Sequence, residues 1–168
     1  MRGWDLASTL KEQGKNDPDF TSGPRIAVKK IPGSMLDEIY VDDWVRGQWE
    51  GPERNKIIYN TAMSDGAAVR VGIEAFAGYK DAYLQLKQAL MGLRSVTKCN
   101  LPGDKLSKAM TIIPTVEAGN LYFREAPWNN AVKKSLGDFP NGAHDDDSDG
   151  LAVAYDVRHK MTTQGKFL

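Results

Sequence analysis

The chain is poor in the residues on which several kinds of protein chemistry rest. It has one cysteine, Cys99, and two histidines in 168 residues. A single cysteine cannot form an internal disulfide, and a reducing compartment suits such a chain. Cys99 has no CxxC partner, so it reads as a buried structural thiol. No run approaches the ~18 apolar residues of a membrane span, and no charged n-region followed by an apolar h-region opens the chain. Gly-x-x-x-x-Gly-Lys-Ser/Thr is missing, so the phosphate-cradling loop of an ATPase motor is absent from this sequence. No repeat recurs at a scale of 20–50 residues. Net charge is also lacking: 22 Lys and Arg balance 22 Asp and Glu. That argues against a strongly basic nucleic-acid coat but not against a local basic face, because site acids conceal an equal number of bases.

What is present is acid in one place. Asn141-Gly142-Ala143-His144-Asp145-Asp146-Asp147-Ser148-Asp149 carries four carboxylates within five residues, then the apolar run Leu151–Tyr155. A Pro-Asn-Gly turn followed by acids and then apolar residues reads as a helix start, where free N–H groups and the helix dipole favour Asp. The cluster is either an over-acidic helix start or a hard-cation site built from oxygen ligands for Mg²⁺ or Mn²⁺. His144 reads as a structural residue of that helix start.

The hydrophobic fraction of 41 % and charged fraction of 26 % suit one soluble domain. Strands are expected at 1–9, 25–31 and 38–49, joined first by a polar loop over 11–23. A strand that begins almost at Met1 suggests a piece of a longer protein. Asp42-Asp43 is discounted as a site, since adjacent strand residues face opposite ways, and reads as a solvated acid pair. A helix follows from Gly51-Pro52 to about Gly66, with Ile57, Ile58, Thr61 and Ala62 on its apolar stripe. Val69–Phe76 reads as a central strand with Glu74 at its carboxyl end. Tyr79–Met91 is an amphipathic helix stopped by Gly92. Val96–Cys99 is a short strand. A helix capped by Asp104 or Ser107 carries Leu106, Met110, Ile113 and Val116. Leu121–Phe123 is a strand, Trp128–Leu136 a helix, and the last helix starts at Asp145 and runs to about Lys160. The domain is expected over 1–161, with a flexible tail over 162–168.

The expected order is β-β-β-α-β-α-β-α with an acidic helix after it. In such a mixed sheet the first and fourth strands can lie side by side. Asp5, Glu74 and one or two of Asp145, Asp146 and Asp149 would then converge. Divalent cations relieve the repulsion of converging carboxylates, and two ions about 3.5–4 Å apart activate water and stabilise the leaving oxygen of a phosphodiester.

Four stretches in order carry a resemblance. Trp4-Asp5-Leu6-Ala7 and Asp19-Phe20-Thr21-Ser22-Gly23 open it. Ile73-Glu74-Ala75-Phe76 is the second acid motif. Gly103-Asp104-Lys105-Leu106-Ser107-Lys108-Ala109 and then Val116–Phe123 form a helix–turn–strand. Phe139–Leu151, with His144-Asp145-Asp146 and Asp149, closes it. Over about residues 3–157 the chain resembles the nuclease domain of the large terminase subunit of tailed bacteriophages. That family has the ribonuclease H/integrase-like fold, an α/β mixed central sheet flanked by helices. One departure is Gly150, where the family more often has Ala.

The resemblance implies a divalent-metal-dependent endonuclease that cuts concatemeric viral DNA during packaging, using two Mg²⁺ or Mn²⁺ ions. Asp5 would bridge the ions and Glu74 would bind one. Asp146 is the expected third catalytic ligand, with Asp145 or Asp149 assisting. The implied partners are double-stranded DNA, the terminase ATPase motor, the small terminase subunit and the portal protein, in the cytoplasm of an infected bacterium and with no membrane. DNA would be held through phosphates by residues such as Lys105, Lys108, Arg70 and Lys80, with Lys29, Lys30 and Arg46 as further candidates. The alternatives are another nuclease of the same fold, a junction resolvase or ribonuclease H, and a non-catalytic module holding a structural cation. The acidic loop lacks the EF-hand spacing.

Overall fold

The computed structural model describes residues 1–7, 18–75, 77–101, 103, 105–142 and 144–164. The strands are β1 (Arg2–Trp4), β2 (Thr21–Lys30), β3 (Asp37–Gly47), β4 (Val71–Glu74), β5 (Val96–Cys99) and β6 (Leu121–Phe123). The helices are α1 (Gly51–Asp65), α2 (Lys80–Ala89), α3 (Lys105–Ala109), α4 (Ile113–Glu117), α5 (Asn129–Asp138) and α6 (Asp146–Gln164). The strands form one mixed sheet in the order β5-β4-β1-β2-β3-β6. β2 pairs antiparallel with β1 and β3, while the pairs β1–β4, β4–β5 and β3–β6 are parallel. Every strand but β2 therefore points the same way, the ribonuclease H-like arrangement expected from the sequence.

Alternation along the strands builds a layer on each face. Trp4, Val71 and Ile73 pack with Ile58 and Ala62 of α1 and with Tyr83 and Leu86 of α2. On the opposite face Ile26, Ile39 and Val41 pack with Leu151, Ala152 and Ala154 of α6. Burial of each such aliphatic side chain contributes about 1.5–3 kcal/mol. α6 is buried nearly all round from Gly150 to Tyr155, as expected of a helix with apolar residues on every side. It comes very close to the sheet. A Cβ on Gly3 would fall 2.1 Å from the Ala154 backbone nitrogen. At Gly150 a Cβ would lie 3.0 Å from Pro24 and 3.1 Å from the Ser22 carbonyl oxygen. The helix is pinned at its start and at its middle. Ser22 Oγ donates to Asp147 Oδ1 at 2.7 Å, and Tyr155 Oη donates to the buried Asp37 at 2.7 Å.

Three expectations change. The helix expected after Asp104 is two short ones, because Pro114 occupies the first turn of α4 and lacks the N–H that would continue α3. Leu106, Met110 and Val116 consequently face out, and Ala109, Ile112 and Thr115 face in. The last helix runs to Gln164, into the stretch expected to be a flexible tail; residues 165–168, like Asp104, lie outside the described residues. Asp42-Asp43 is partly exposed but ion-paired, not merely solvated. Arg25 pairs with Asp43 and Ile26 with Val41, so Asp42 is the extra residue of a bulge. Arg25 binds Asp42 at 2.8 Å, and the fully buried Arg2 binds Asp43.

Asp65 at the end of α1 joins this network. Arg2 Nε donates to Asp65 Oδ2 at 2.6 Å and Arg25 NH1 to Oδ1 at 2.7 Å. Burial works to raise the Asp65 carboxyl, but the Arg2 hydrogen bond and the two guanidinium charges outweigh it and leave it below its ordinary value. Arg2→Ala leaves the buried Asp65 with Arg25 alone, a loss of about 1.5–3 kcal/mol. Urea unfolding at pH 7 is expected to show that loss. Because the Asp65 carboxyl is depressed in the folded state, its contribution is present above the ordinary carboxylate range and lost as pH falls below it.

Candidate metal centre

Parallel pairing brings the site together. The register sets Trp4 opposite Ile73, which carries Asp5 to the level of Glu74. Both acids then lie at the carboxyl ends of neighbouring strands, where α/β sheets place their ligand sites. Asp5 is held by backbone bonds to Ser22 on β2: Asp5 N–H donates to Ser22 O at 2.9 Å and Ser22 N–H to Asp5 O at 3.0 Å. The start of α6 crosses this same end. Asp145 is its N-cap in backbone terms, its carbonyl accepting the Asp149 N–H at 3.1 Å.

The four acids of the α6 start divide by helix phase. Asp147 turns into the fold and is fully buried. It accepts from Ser22 Oγ, which itself accepts from Trp44 Nε1 at 2.9 Å, and it lies 3.5 Å from Arg46. Asp149 joins Asp5 and Glu74, with ligand oxygens all within 4.8 Å of one another. Asp146, one turn earlier, belongs instead to a neighbouring group with Asp19 and His144, again within 4.8 Å. There it accepts the Phe20 N–H at 2.9 Å and lies 3.7 Å from His144 Nδ1. Asp149, expected to assist, is thus grouped with Asp5 and Glu74, while Asp146 stands in the neighbouring group with its charge still acting on Asp5. Asp145 joins neither group. Asp19 was not among the expected ligands, although it stands in the opening motif.

Crowding shows in the protonation of these groups. Burial first, then the charges of Asp149, Glu74 and Asp146, push the Asp5 carboxyl well above its ordinary range, and Asp5 shares a hydrogen bond with Glu74. Burial also raises Asp149, against the pull of Lys108. Asp146 is pushed up to about 6, by burial and by the charges of Asp19 and Asp145, against the Phe20 N–H and His144. Asp149 Oδ1 is buried and has no hydrogen-bond partner among the described residues. Buried acids that repel one another and leave an oxygen unsatisfied fit a hard divalent cation, which needs oxygen ligands.

The expected DNA contacts divide sharply. Lys108 lies inside the cluster, with Nζ 2.8 Å from Glu74 Oε1 and 3.2 Å from Asp149 Oδ2. Those two carboxylates outweigh its burial and raise its pKa. Arg70 is at the wrong end of the sheet: it precedes β4, and its carbonyl accepts the Arg2 N–H. Lys29 and Lys30 are at that end too, paired with Glu38 and Asp37. Lys80 is exposed at the start of α2, just past the carboxyl end of β4. Lys105 opens α3, and its side chain lies outside the described residues. Arg46 is at the site end of β3, stacked over Phe20 at 4.1 Å. With Lys134, Ser135 and His144 it lines an open pocket of about 370 Å³ beside the acids, to which Asp138 adds one carboxylate. Lys134 had no motif to mark it; only the packing of α5 brings it here.

No family model matches the chain, and no curated protein matches it. Among the described residues no helix is long and apolar enough to cross a membrane.

The raised carboxyl of Asp146 gives a signed expectation. Between its ordinary value of 3.8 and about 6, the folded state binds the proton that the unfolded state has released. Stability without divalent ions therefore falls as pH rises across that window and levels off above it. The fall due to Asp146 is on the order of 3 kcal/mol. Urea melts in EDTA from pH 4 to 8 are expected to show it, and Asp146→Asn to flatten it.

Proposed function

We propose that this chain is a divalent-metal-dependent endonuclease acting on double-stranded DNA. The observation that carries this reading is the convergence of Asp5, Glu74 and Asp149 at the carboxyl ends of β1 and β4. Asp5, Glu74 and Asp149 would hold Mg²⁺ or Mn²⁺, with Asp146 beside them. The chemistry such an ion supplies is Lewis-acid activation of a phosphodiester and of the water that attacks it. The protein's own share is to fix the oxygens. β1 and β4 hold Asp5 and Glu74 through the ladder, and the Asp147–Ser22 bond sets the rotation of α6 that presents Asp149. The fold layer behind them keeps Glu74, Asp146 and Asp149 buried.

DNA would lie across that end of the sheet. The Arg46–Lys134–His144 pocket offers positive charge at the edge of the acids, suited to a backbone phosphate. Phosphate contacts position the duplex without reading bases, which suits a nuclease with little sequence preference. The motif series adds a finer reading: the nuclease domain of a bacteriophage large terminase, cutting packaged concatemers in the infected host's cytoplasm. Its partners there would be an ATPase motor, a small terminase subunit and a portal protein.

The test is cleavage of supercoiled plasmid, a four-way junction and an RNA–DNA hybrid with Mn²⁺, Mg²⁺, Ca²⁺ or EDTA. Nicked and linear plasmid with Mn²⁺ or Mg²⁺, none in EDTA, and a loss of at least about 100-fold in Asp5→Asn and Asp149→Asn are expected. Preferred cutting of the junction or hybrid would move the substrate to a resolvase or ribonuclease H. A folded chain that cuts nothing and binds no ion would overturn the reading.

A further inference from the structure

The ammonium of Lys108 sits between two acids of the centre, Glu74 and Asp149. Its side chain is only 15 % exposed, and Nζ reaches Glu74 Oε1 at 2.8 Å and Asp149 Oδ2 at 3.2 Å. This is not a surface lysine bent over at random. α3 packs against α6, and the Lys108 carbonyl accepts the Thr111 hydroxyl at 2.8 Å, which closes the chain after α3. The residue therefore comes from a separate element placed to reach two of the three acids.

The oxygens divide accordingly. Lys108 takes Oδ2 of Asp149 and leaves the buried Oδ1 with no hydrogen-bond partner among the described residues. It takes one oxygen of Glu74, whose carboxyl also shares a hydrogen bond with Asp5. Charge divides the same way. Asp5, Glu74 and Asp149 carry three negative charges when ionised, and Lys108 returns one. The remainder matches a single divalent cation. A second ion would have to compete with the ammonium for Glu74 Oε1 and Asp149 Oδ2.

We propose that Lys108 serves as the built-in second cation of this centre, so that the site takes one divalent ion where two would otherwise bind. This rests on the metal-dependent reading above and sets its stoichiometry. Lys108 is fixed by the protein, so one of the two positive charges facing a developing phosphate charge needs no ion from solution.

The experiment is a Mn²⁺ titration of the intact chain by calorimetry, with electron paramagnetic resonance counting free Mn²⁺. Every chain carries Asp19→Asn, so that the neighbouring Asp19–His144–Asp146 group does not add an ion of its own. The parent is expected to bind one Mn²⁺, Lys108→Arg one, and Lys108→Gln two, the two showing a spin-coupled spectrum. Lys108→Ala repeats the measurement should the Gln variant fail to fold, as judged by thermal melts. Two ions in the parent, or a single ion in both parent and Lys108→Gln, would overturn the proposal. So would none in the parent and one in Lys108→Gln, since Lys108 would then be a blocker. No binding by any folded chain would overturn the metal-centre reading itself and this proposal with it.

Discussion

The parallel pairing of β1 with β4 is the constraint from which the site follows. It sets Trp4 opposite Ile73 and so leaves Asp5 and Glu74 at one level, at one end of the sheet. Neither residue has a choice of partner once that register is set, because a slip of one position would turn every side chain to the other face. The register is guarded from both sides. Trp4, Val71 and Ile73 are committed to the α1–α2 layer, and Gly3 is committed to the close approach of α6. Core packing and site geometry are thus one set of contacts, and the acids sit where they do because the aliphatic residues beside them cannot move.

The same arrangement has a cost. Burial and mutual repulsion raise Asp5, Asp146 and Asp149, so the folded protein gives up stability at neutral pH to hold them together. Active-site carboxylates held against their own repulsion are a recurring sign of function, because a merely structural network settles its charges internally. The Arg2–Asp65–Arg25 network is the local comparison. There, acids and arginines satisfy one another, and Asp65 lies below its ordinary range. In the acidic centre Lys108 reaches two carboxylates, Glu74 and Asp149, and among the described residues leaves the buried Asp149 Oδ1 without a partner.

Much of this was legible in the chain. The strand patterns of 25–31, 38–49 and 96–99, the amphipathic face of α2 and the Gly92 stop all survive with shifts of a few residues. The neighbouring placement of the first and fourth strands, which their order allowed, brings Asp5 and Glu74 together. The choice among Asp145, Asp146 and Asp149 was not legible, because it depends on the rotation of α6. That rotation is set by contacts distant in sequence, Asp147 with Ser22 and Gly150 against Pro24. Lys108 was read as a DNA contact because its motif suggested an exposed helix start. The break at Pro114 shortened that helix and left it against α6. Asp42-Asp43 misled for a related reason: alternation fails at a bulge, and nothing local announces one.

The direct test of the central claim is the position of Mn²⁺ in crystals of this chain grown with the ion, located by its anomalous scattering. The account predicts a peak coordinated by Asp5 and Asp149, with Lys108 still against Glu74. A peak held by Asp19, His144 and Asp146 alone, or no peak among Asp5, Glu74 and Asp149 at saturating Mn²⁺, would contradict it.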